Sequence, residues 1–527
     1  MAPYRLLIIL CFFTSAVSAQ TNRYMVFFED KAGTPHVVSQ PETFLSDRAI
    51  TRRAKALKQV DQDDLPVTPG YVTQVRGTGA KAFFTSRWMN GVLVEATPAM
   101  LASINLLPFV KSTEFVAPNA QLIGGRKGTK GLTTSIAASE EQLHQLGIDS
   151  MHADGYRGEG VMVAILDSGF PGVESTAPFL AVRSGNQIKM EVDFITNSGN
   201  VYQFNDHGTK VFSIIAAETS TFQGAAPKAD FLLFVTEDVG SEYRIEEYNW
   251  LFAAERADSA GADIIQTSVG YTDFDDPSMD HVIADLDGET AVISRAAGFA
   301  RDRGVVVVAS AGNLGNTAWR FISPPADADG IITVGAIQSD GTKASFSSVG
   351  PTADGRIKPD VVAPGVGVSV ISASGSVAFA NGTSVAAPLV TSLAAGLVQA
   401  FPNVVPSALV NMIRQSATNA STSNNDIGYG VPSYQAVRNF INRSPFAVYA
   451  YPNPVANTLW FSINPAPDEM VSLTIYNMQG KEMVSTSLFM SWSNNPVAID
   501  VAGLASGLYI VRTVTSAGIH SERFIKL

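Results

Sequence analysis

From about residue 140 to residue 435 the chain alternates short, wholly apolar runs with longer segments of mixed polarity. Val161 to Leu166 is one such run and ends at Asp167; Phe231 to Val235, Ile264-Ile265, Val305 to Ala309 and Ile331 to Val334 are others. Helical segments lie between several of them, Ile245 to Ala260 and Ala291 to Arg303 among them. Strands apolar throughout must be covered on both faces, which predicts an α/β fold: a parallel sheet with helices on each side. In such sheets functional groups gather at the carboxyl ends of strands. Asp167 stands at one such end, and Ala311-Gly312-Asn313 follows another.

The flanks carry different patterns. Arg23 to Glu29 reads as a strand, and Ser46 to Lys58 as a basic helix capped by Ser46. Trp88 to Thr97 is a second strand, and Pro98 to Leu106 a helix leading into Val110 to Phe115. This small α+β unit is followed by a polar, Gly- and Lys-rich stretch, Gly124 to Thr134, which has the character of a linker or cleavage region. Asn442 to Pro454, with Ser444-Pro445 and Pro452-Asn453-Pro454, marks a second boundary. Only strand-like segments follow: Leu459 to Ile463, Val471 to Tyr476, Val497 to Val501, Leu508 to Thr513 and Ser521 to Leu527, which predict a small β-sandwich.

At 527 residues the chain is too long for one ordinary core, so two to four domains are expected. A formal charge of −12 argues against a nucleic-acid partner. The first residues read as an export signal: Arg5, an apolar core from Leu6 to Phe13, and Val17-Ser18-Ala19 before a cut at Gln20. That core is far short of the roughly 20 residues a membrane span needs, and no other stretch reads as one. The only cysteine, Cys11, lies inside the signal, so the mature chain would be exported yet free of disulfides.

Candidate chemistry centres on Asn381-Gly382-Thr383-Ser384-Val385-Ala386-Ala387-Pro388. The apolar run Val385 to Phe401 reads as a buried helix beginning at Ser384, whose free N–H groups would suit a developing oxyanion. A serine hydroxyl needs a base and an orienter for that base. His207, in Asn205-Asp206-His207-Gly208-Thr209, and Asp167 supply an imidazole and a carboxylate at the edges of core elements. Singly, each has a plain alternative: Ser384 in a helix cap, Asp167 in a turn, His207 at a helix start. Together they form a rarer combination.

The motifs Ala164-Ile165-Leu166-Asp167-Ser168-Gly169, the His207 segment and Gly382-Thr383-Ser384-Val385-Ala386-Ala387-Pro388 occur in the order found in subtilisin-like serine proteases, the subtilases, which residues 140–435 resemble. Ser310-Ala311-Gly312-Asn313 resembles the family's oxyanion segment, and Ser345 to Ser348 through Pro359 to Gly365 resembles a further signature. The resemblance implies Ser384 as nucleophile, His207 as base, Asp167 as its orienter and Asn313 as oxyanion donor. It also implies substrate pairing along Ser268, Val269 and Gly270. Lys210 stands where the family usually has a second histidine. No metal is assigned; calcium ligands in the family are scattered, and Asp273, Asp275 and Asp276 read as a solvated acidic loop.

Residues 21 to about 130 resemble a subtilase propeptide, an intramolecular inhibitor and folding aid. Tyr451-Pro452-Asn453-Pro454, Asn477-Met478-Gln479-Gly480, Leu504 to Tyr509 and Phe524-Ile525-Lys526-Leu527 resemble the sorting domain of type IX secretion cargo. The expected organisation is a signal peptide at 1–19, a propeptide at 20–130, a peptidase domain at 131–440 and a sorting β-sandwich at 441–527. The implied product is a serine endopeptidase exported through the periplasm to the cell surface or beyond. Its partners would be protein or peptide substrates, its own propeptide and the outer-membrane secretion machinery. A catalytically silent adhesion protein on the same scaffold, and a sedolisin-type enzyme pairing serine with carboxylates, are the rivals. The intact catalytic positions, and His207 in its full motif, disfavour them.

Overall fold

The computed structural model describes residues 20–118, 138–402, 404–443, 447–451, 453–464, 469–490, 496–515 and 518–527; the signal segment and the Gly124 to Thr134 stretch lie outside these. At the N-terminal end, β1 (Asn22–Phe28), α1 (Asp47–Ala56), α2 (Pro69–Gly77), β2 (Lys81–Ser86), β3 (Gly91–Ala96), α3 (Pro98–Ile104) and β4 (Val110–Pro118) form an α+β unit. Its antiparallel sheet has the order β2-β3-β1-β4. Ser46 starts α1 as expected, its Oγ accepting the Ala49 N–H at 3.1 Å. The sequence pattern did not announce α2 or β2. Pro69, Gly70 and Gly77 make α2 read as a turn, and β2 is an edge strand without a clean alternation of buried and exposed positions.

Helices α4 (Ala138–Gln145) and α5 (Ile148–Ala153) lead into the middle region. Its sheet is built from β5 (Met162–Asp167), β6 (Ile188–Asp193), β7 (Asp230–Val235), β8 (Ile264–Thr267), β9 (Val306–Ser310), β10 (Ile332–Ile337) and β11 (Val361–Pro364). The spatial order is β11-β10-β9-β8-β5-β7-β6, all parallel. After the short α6 (Leu180–Ser184), the covering helices are α7 (His207–Ala216), α8 (Ile245–Ala260), α9 (Val292–Asp302) and α10 (Thr383–Ala400). Successive residues of a strand face opposite sides. Val163 and Ile165 accordingly join the core of α7 and α10, while Ala164 and Leu166 join that of α8 and α9. Among the described residues α10 is the one helix long and apolar enough to cross a membrane, and it is packed inside the protein. β6 was not anticipated because it is a half-exposed edge strand carrying Lys189 and Glu191; β11 is only four residues long.

The order of strands reverses around β5, with β7 and β6 on one side and β8 to β11 on the other. The crevice above the carboxyl end of β5 is where such sheets bind ligands.

The N-terminal sheet lies over α8 and α9: Met25, Trp88, Leu93 and Val116 share a core with Trp250, Leu251, Ile293 and Ala296. Beside this apolar contact is a buried charge cluster. Asp258 of α8 receives Arg52, Arg53 and Arg87, the Arg53 bond measuring 2.6 Å. Asp64 is gripped by both terminal guanidinium nitrogens of Arg53, at 2.7 and 3.0 Å, and by Arg303 Nε at 2.6 Å. Glu255 accepts the Arg87 N–H at 2.9 Å and the Ser86 hydroxyl at 2.5 Å.

Beyond residue 446, Ala447–Tyr451, Thr458–Asn464 and Val497–Asp500 form one antiparallel sheet. Glu469–Asn477, Glu482–Met490, Gly507–Thr515 and Gly518–Lys526 form another. Leu459, Phe461, Leu473, Ile475, Val511 and Phe524 fill the space between them, the sandwich that the strand pattern predicts.

Candidate active site

Asp167 ends β5 and is fully buried. Its Oδ1 accepts the Ser168 N–H at 2.7 Å and faces His207 Nδ1 at 2.8 Å. A carboxylate only accepts, so Nδ1 carries a proton, and in the neutral ring Nε2 keeps its lone pair. His207 is the first residue of α7, and the glycine after it permits the close approach. A Cβ at Gly208 would lie 2.4 Å from the Gly169 carbonyl oxygen and 3.1 Å from Asp167 Cβ. Burial acts to lower the imidazole pKa, but the charge and hydrogen bond of Asp167, with the charge of Glu237, outweigh it and carry it to about 9. Lys210 pulls the other way and makes a local pair with Asp206 at 2.8 Å.

Ser384 is the second residue of α10 and so lies inside the first turn; the N-cap itself is Gly382. Gly382 has φ +149°, and a side chain there would fill the site itself. Its Cβ position is 2.9 Å from Ser384 Oγ, 3.5 Å from Asn313 Nδ2 and 3.6 Å from Ser384 N. The hydroxyl, an amide donor and a helix-terminal N–H thus surround one small space. Asn313 lies just past β9, and its amide orientation is fixed by Oδ1, which accepts the Thr383 N–H at 2.9 Å and the Thr383 hydroxyl at 3.1 Å. Nδ2 is thereby turned toward the Gly382 space. Among the described residues no hydrogen bond joins His207 to Ser384 Oγ. Such bonds tighten when substrate is bound.

Sequence reasoning missed how Ser384 is anchored. Pro388 stands four residues after it inside α10 and has no N–H, so the Ser384 carbonyl has no intrahelical donor. Ser268, just beyond β8, donates its hydroxyl to that carbonyl at 2.9 Å and accepts from Gln266 Nε2 at 2.8 Å. The spacing of Ser384 and Pro388 was the available signal. Val269 is buried and Gly270 exposed. Glu237 was also missed. It follows β7, whose last residue Val235 is in register with Asp167, and the Thr236 N–H donates to the Asp167 carbonyl at 3.0 Å.

The acidic loop is engaged locally: Asp275 accepts the Glu242 N–H at 3.1 Å, and Asp276 accepts the Ser278 N–H and hydroxyl at 3.0 and 2.8 Å. Among the described residues no group of three His, Cys, Asp or Glu side chains is arranged to hold a metal.

Comparison with known proteins gives three family matches. The subtilase family matches residues 158–430, the peptidase S8 propeptide domain of Bacteroidota residues 23–131, and a secretion system C-terminal sorting domain residues 449–527. Subtilisin DY of Bacillus licheniformis is 32% identical over 280 residues, covering 52% of this chain and 90% of that protein. Subtilisin of Bacillus pumilus is 31% identical over 290 residues, covering 53% and 92%. Subtilisin NAT of Bacillus subtilis subsp. natto is 32% identical over 285 residues, and the match spans 52% of this chain and 65% of its length. Among solved structures, MycP1 from Mycobacterium smegmatis is 22% identical over 60% of this chain and 88% of its own, with a TM-score of 0.47.

Proposed function

This chain belongs to the subtilase family of serine peptidases, and we propose that it is a secreted endopeptidase working through Ser384, His207 and Asp167. What supports the reading is an imidazole whose Nδ1 faces a buried carboxylate at 2.8 Å, together with a helix-terminal serine flanked by an amide donor. His207 Nε2 takes the proton of Ser384 as Oγ attacks the peptide carbonyl. Asn313 Nδ2 and the Ser384 N–H receive the negative charge that develops on the carbonyl oxygen. The imidazolium then protonates the leaving amine, and water repeats the sequence on the acyl-enzyme. Ser268, Val269 and Gly270 offer backbone to an extended substrate.

The flanking regions fit a precursor. Residues 20–130 block the crevice until the chain is cut between about 118 and 136, by Ser384 itself, because the tethered bond is held at high effective concentration. The C-terminal sandwich addresses the protein to outer-membrane secretion after passage through the periplasm.

A fluorophosphonate probe tests the chemistry. It should label Ser384 in the processed protein, and Asp167→Asn should slow labelling sharply. A processed wild-type protein that stays unlabelled would overturn the reading in favour of a silent scaffold.

A further inference from the structure

The strand that leads into Ser384 belongs to a ribbon too small to hold itself. β12 (Val368–Ile371) and β13 (Val377–Ala380) form a two-stranded antiparallel sheet of their own, with Ser369 opposite Phe379. Such a ribbon is marginal in water by itself. Yet β12 is buried along its whole length, and β13 ends at Ala380, four residues before Ser384. The turn between Ala380 and the serine is tied back to the entry of β12. Asn381 Oδ1 accepts the Gly367 N–H at 2.7 Å, and the Gly382 N–H donates to the Gly365 carbonyl at 2.8 Å. A displacement of β12 is therefore passed to Gly382 and to the serine two residues on.

Side chains, not a further strand, satisfy the backbone of β12. Ser213, on α7 and six residues after His207, accepts the Ile371 N–H on its hydroxyl at 2.8 Å. That hydroxyl has one proton, which goes to the Lys210 carbonyl at 2.7 Å, so the helix sets its orientation. Gln142, on α4, meets the backbone of Ser369 twice. Its Oε1 accepts the N–H at 2.8 Å, and its Nε2 donates to the carbonyl at 3.2 Å. One amide thus does for β12 what a neighbouring strand would do. Ser213 is fully buried and Gln142 is 5% exposed. Around them Leu143 of α4, Phe212 of α7, Val370 of β12 and Val385 of α10 share one core. Apolar contact is non-directional, so the three hydrogen bonds supply the register.

Resting on the peptidase reading, we infer that the β12–β13 ribbon is a strut that sets the spacing of His207 and Ser384, with Ser213 and Gln142 as its positioning residues. The path is continuous. His207 opens α7, Ser213 on that helix holds Ile371, and Gly367 and Gly365 at the entry of β12 hold Asn381 and Gly382 beside Ser384. Among the described residues His207 and Ser384 share no hydrogen bond, so their alignment comes through these supports. A misplacement of 1 Å at reacting groups can cost on the order of a hundredfold in rate. α4 begins at Ala138, beyond the proposed cut, so Gln142 stays with the enzyme after scission.

The test measures turnover per reactive serine. Ser213→Ala and Gln142→Met are made in the full-length, self-processed protein, and active sites are titrated with the fluorophosphonate. Each should lower kcat per labelled serine by about tenfold or more, with KM within about twofold of wild type. Ser213→Thr, which keeps the hydroxyl, should recover most of the loss. The wild-type protein supplies a reading that needs no variant. After fluorophosphonate inhibition, the amides of Ser369 and Ile371 should exchange as slowly as those of α10. Rapid exchange there, or kcat per labelled serine unchanged in both variants whatever their Tm, would overturn the inference. A wild-type protein that neither labels nor cleaves would instead overturn the peptidase reading beneath it.

Discussion

On the proposed mechanism, His207 sets the acid limb of activity. A free imidazole titrates at roughly 6–7. With Asp167 hydrogen-bonded and Glu237 close by, the His207 pKa is carried to about 9. The base must be neutral, so kcat/KM should rise with pH through that raised value. Removing either negative charge should move the limb down: Glu237→Gln modestly, and Asp167→Asn with a loss in kcat of about 10,000-fold, the cost of a misheld tautomer. A rate that peaks near pH 4 would speak for carboxylate chemistry instead. Ser268→Ala should strand the Ser384 carbonyl, costing about 1–3 kcal/mol. If half of that appears in the barrier, kcat falls about twofold to tenfold with little change in KM. Asp167, His207, Asn313 and Ser384 were legible because each sits in a contiguous motif. Ser268 was read only as part of a substrate strand, since its bond to Ser384 joins residues 116 apart in sequence.

Among the elements, α8 explains what periodicity could and could not reveal. Its limits were read correctly, yet Glu255 and Asp258 look in the sequence like solvated charges on a surface helix. They are surface only once the N-terminal unit is gone; in the precursor Asp258 is fully buried beneath three arginines. Asp258→Asn should leave those guanidiniums buried against a neutral partner. The loss is about 3–5 kcal/mol of docking, on the order of a thousandfold. Hydrogen exchange of β1 to β4 in the Ser384→Ala precursor would report it. Burial tends to raise the Asp258 pKa, but the charges of Arg52, Arg87 and Arg53 prevail and hold it below its usual range. Its contribution is complete above the ordinary carboxylate value of about 3.9 and is lost only as pH falls through the depressed one. Mild acid should therefore not undock the unit. Elements missed from the sequence, α2, β2, β6, β11 and the strand Glu482–Met490 among them, are short, proline-led or at an edge, where neighbours decide the backbone and local pattern says little.

At the scale of the molecule, the three regions invite separate dissection. Ser384→Ala, made in a protease-deficient host, should keep residues 21–135 attached by mass spectrometry; trimming at the same bond and rate would assign maturation to another protease. Deleting the chain from Tyr451 onward should leave peptidase activity while trapping the enzyme in the cell envelope. The charge cluster on α8 also governs the fate of the cut propeptide. α8 starts at the carboxyl end of the sheet and Asp258 is near its far end, so the grip lies at the opposite edge of the sheet from Ser384. Scission near residue 130 breaks no contact there. It changes only the molecularity of the blockade, from a tethered segment to a ligand that can leave. Activity should then appear after a lag that shortens as the protein is diluted, so a crowded envelope would keep the cut enzyme quiet and open medium would wake it.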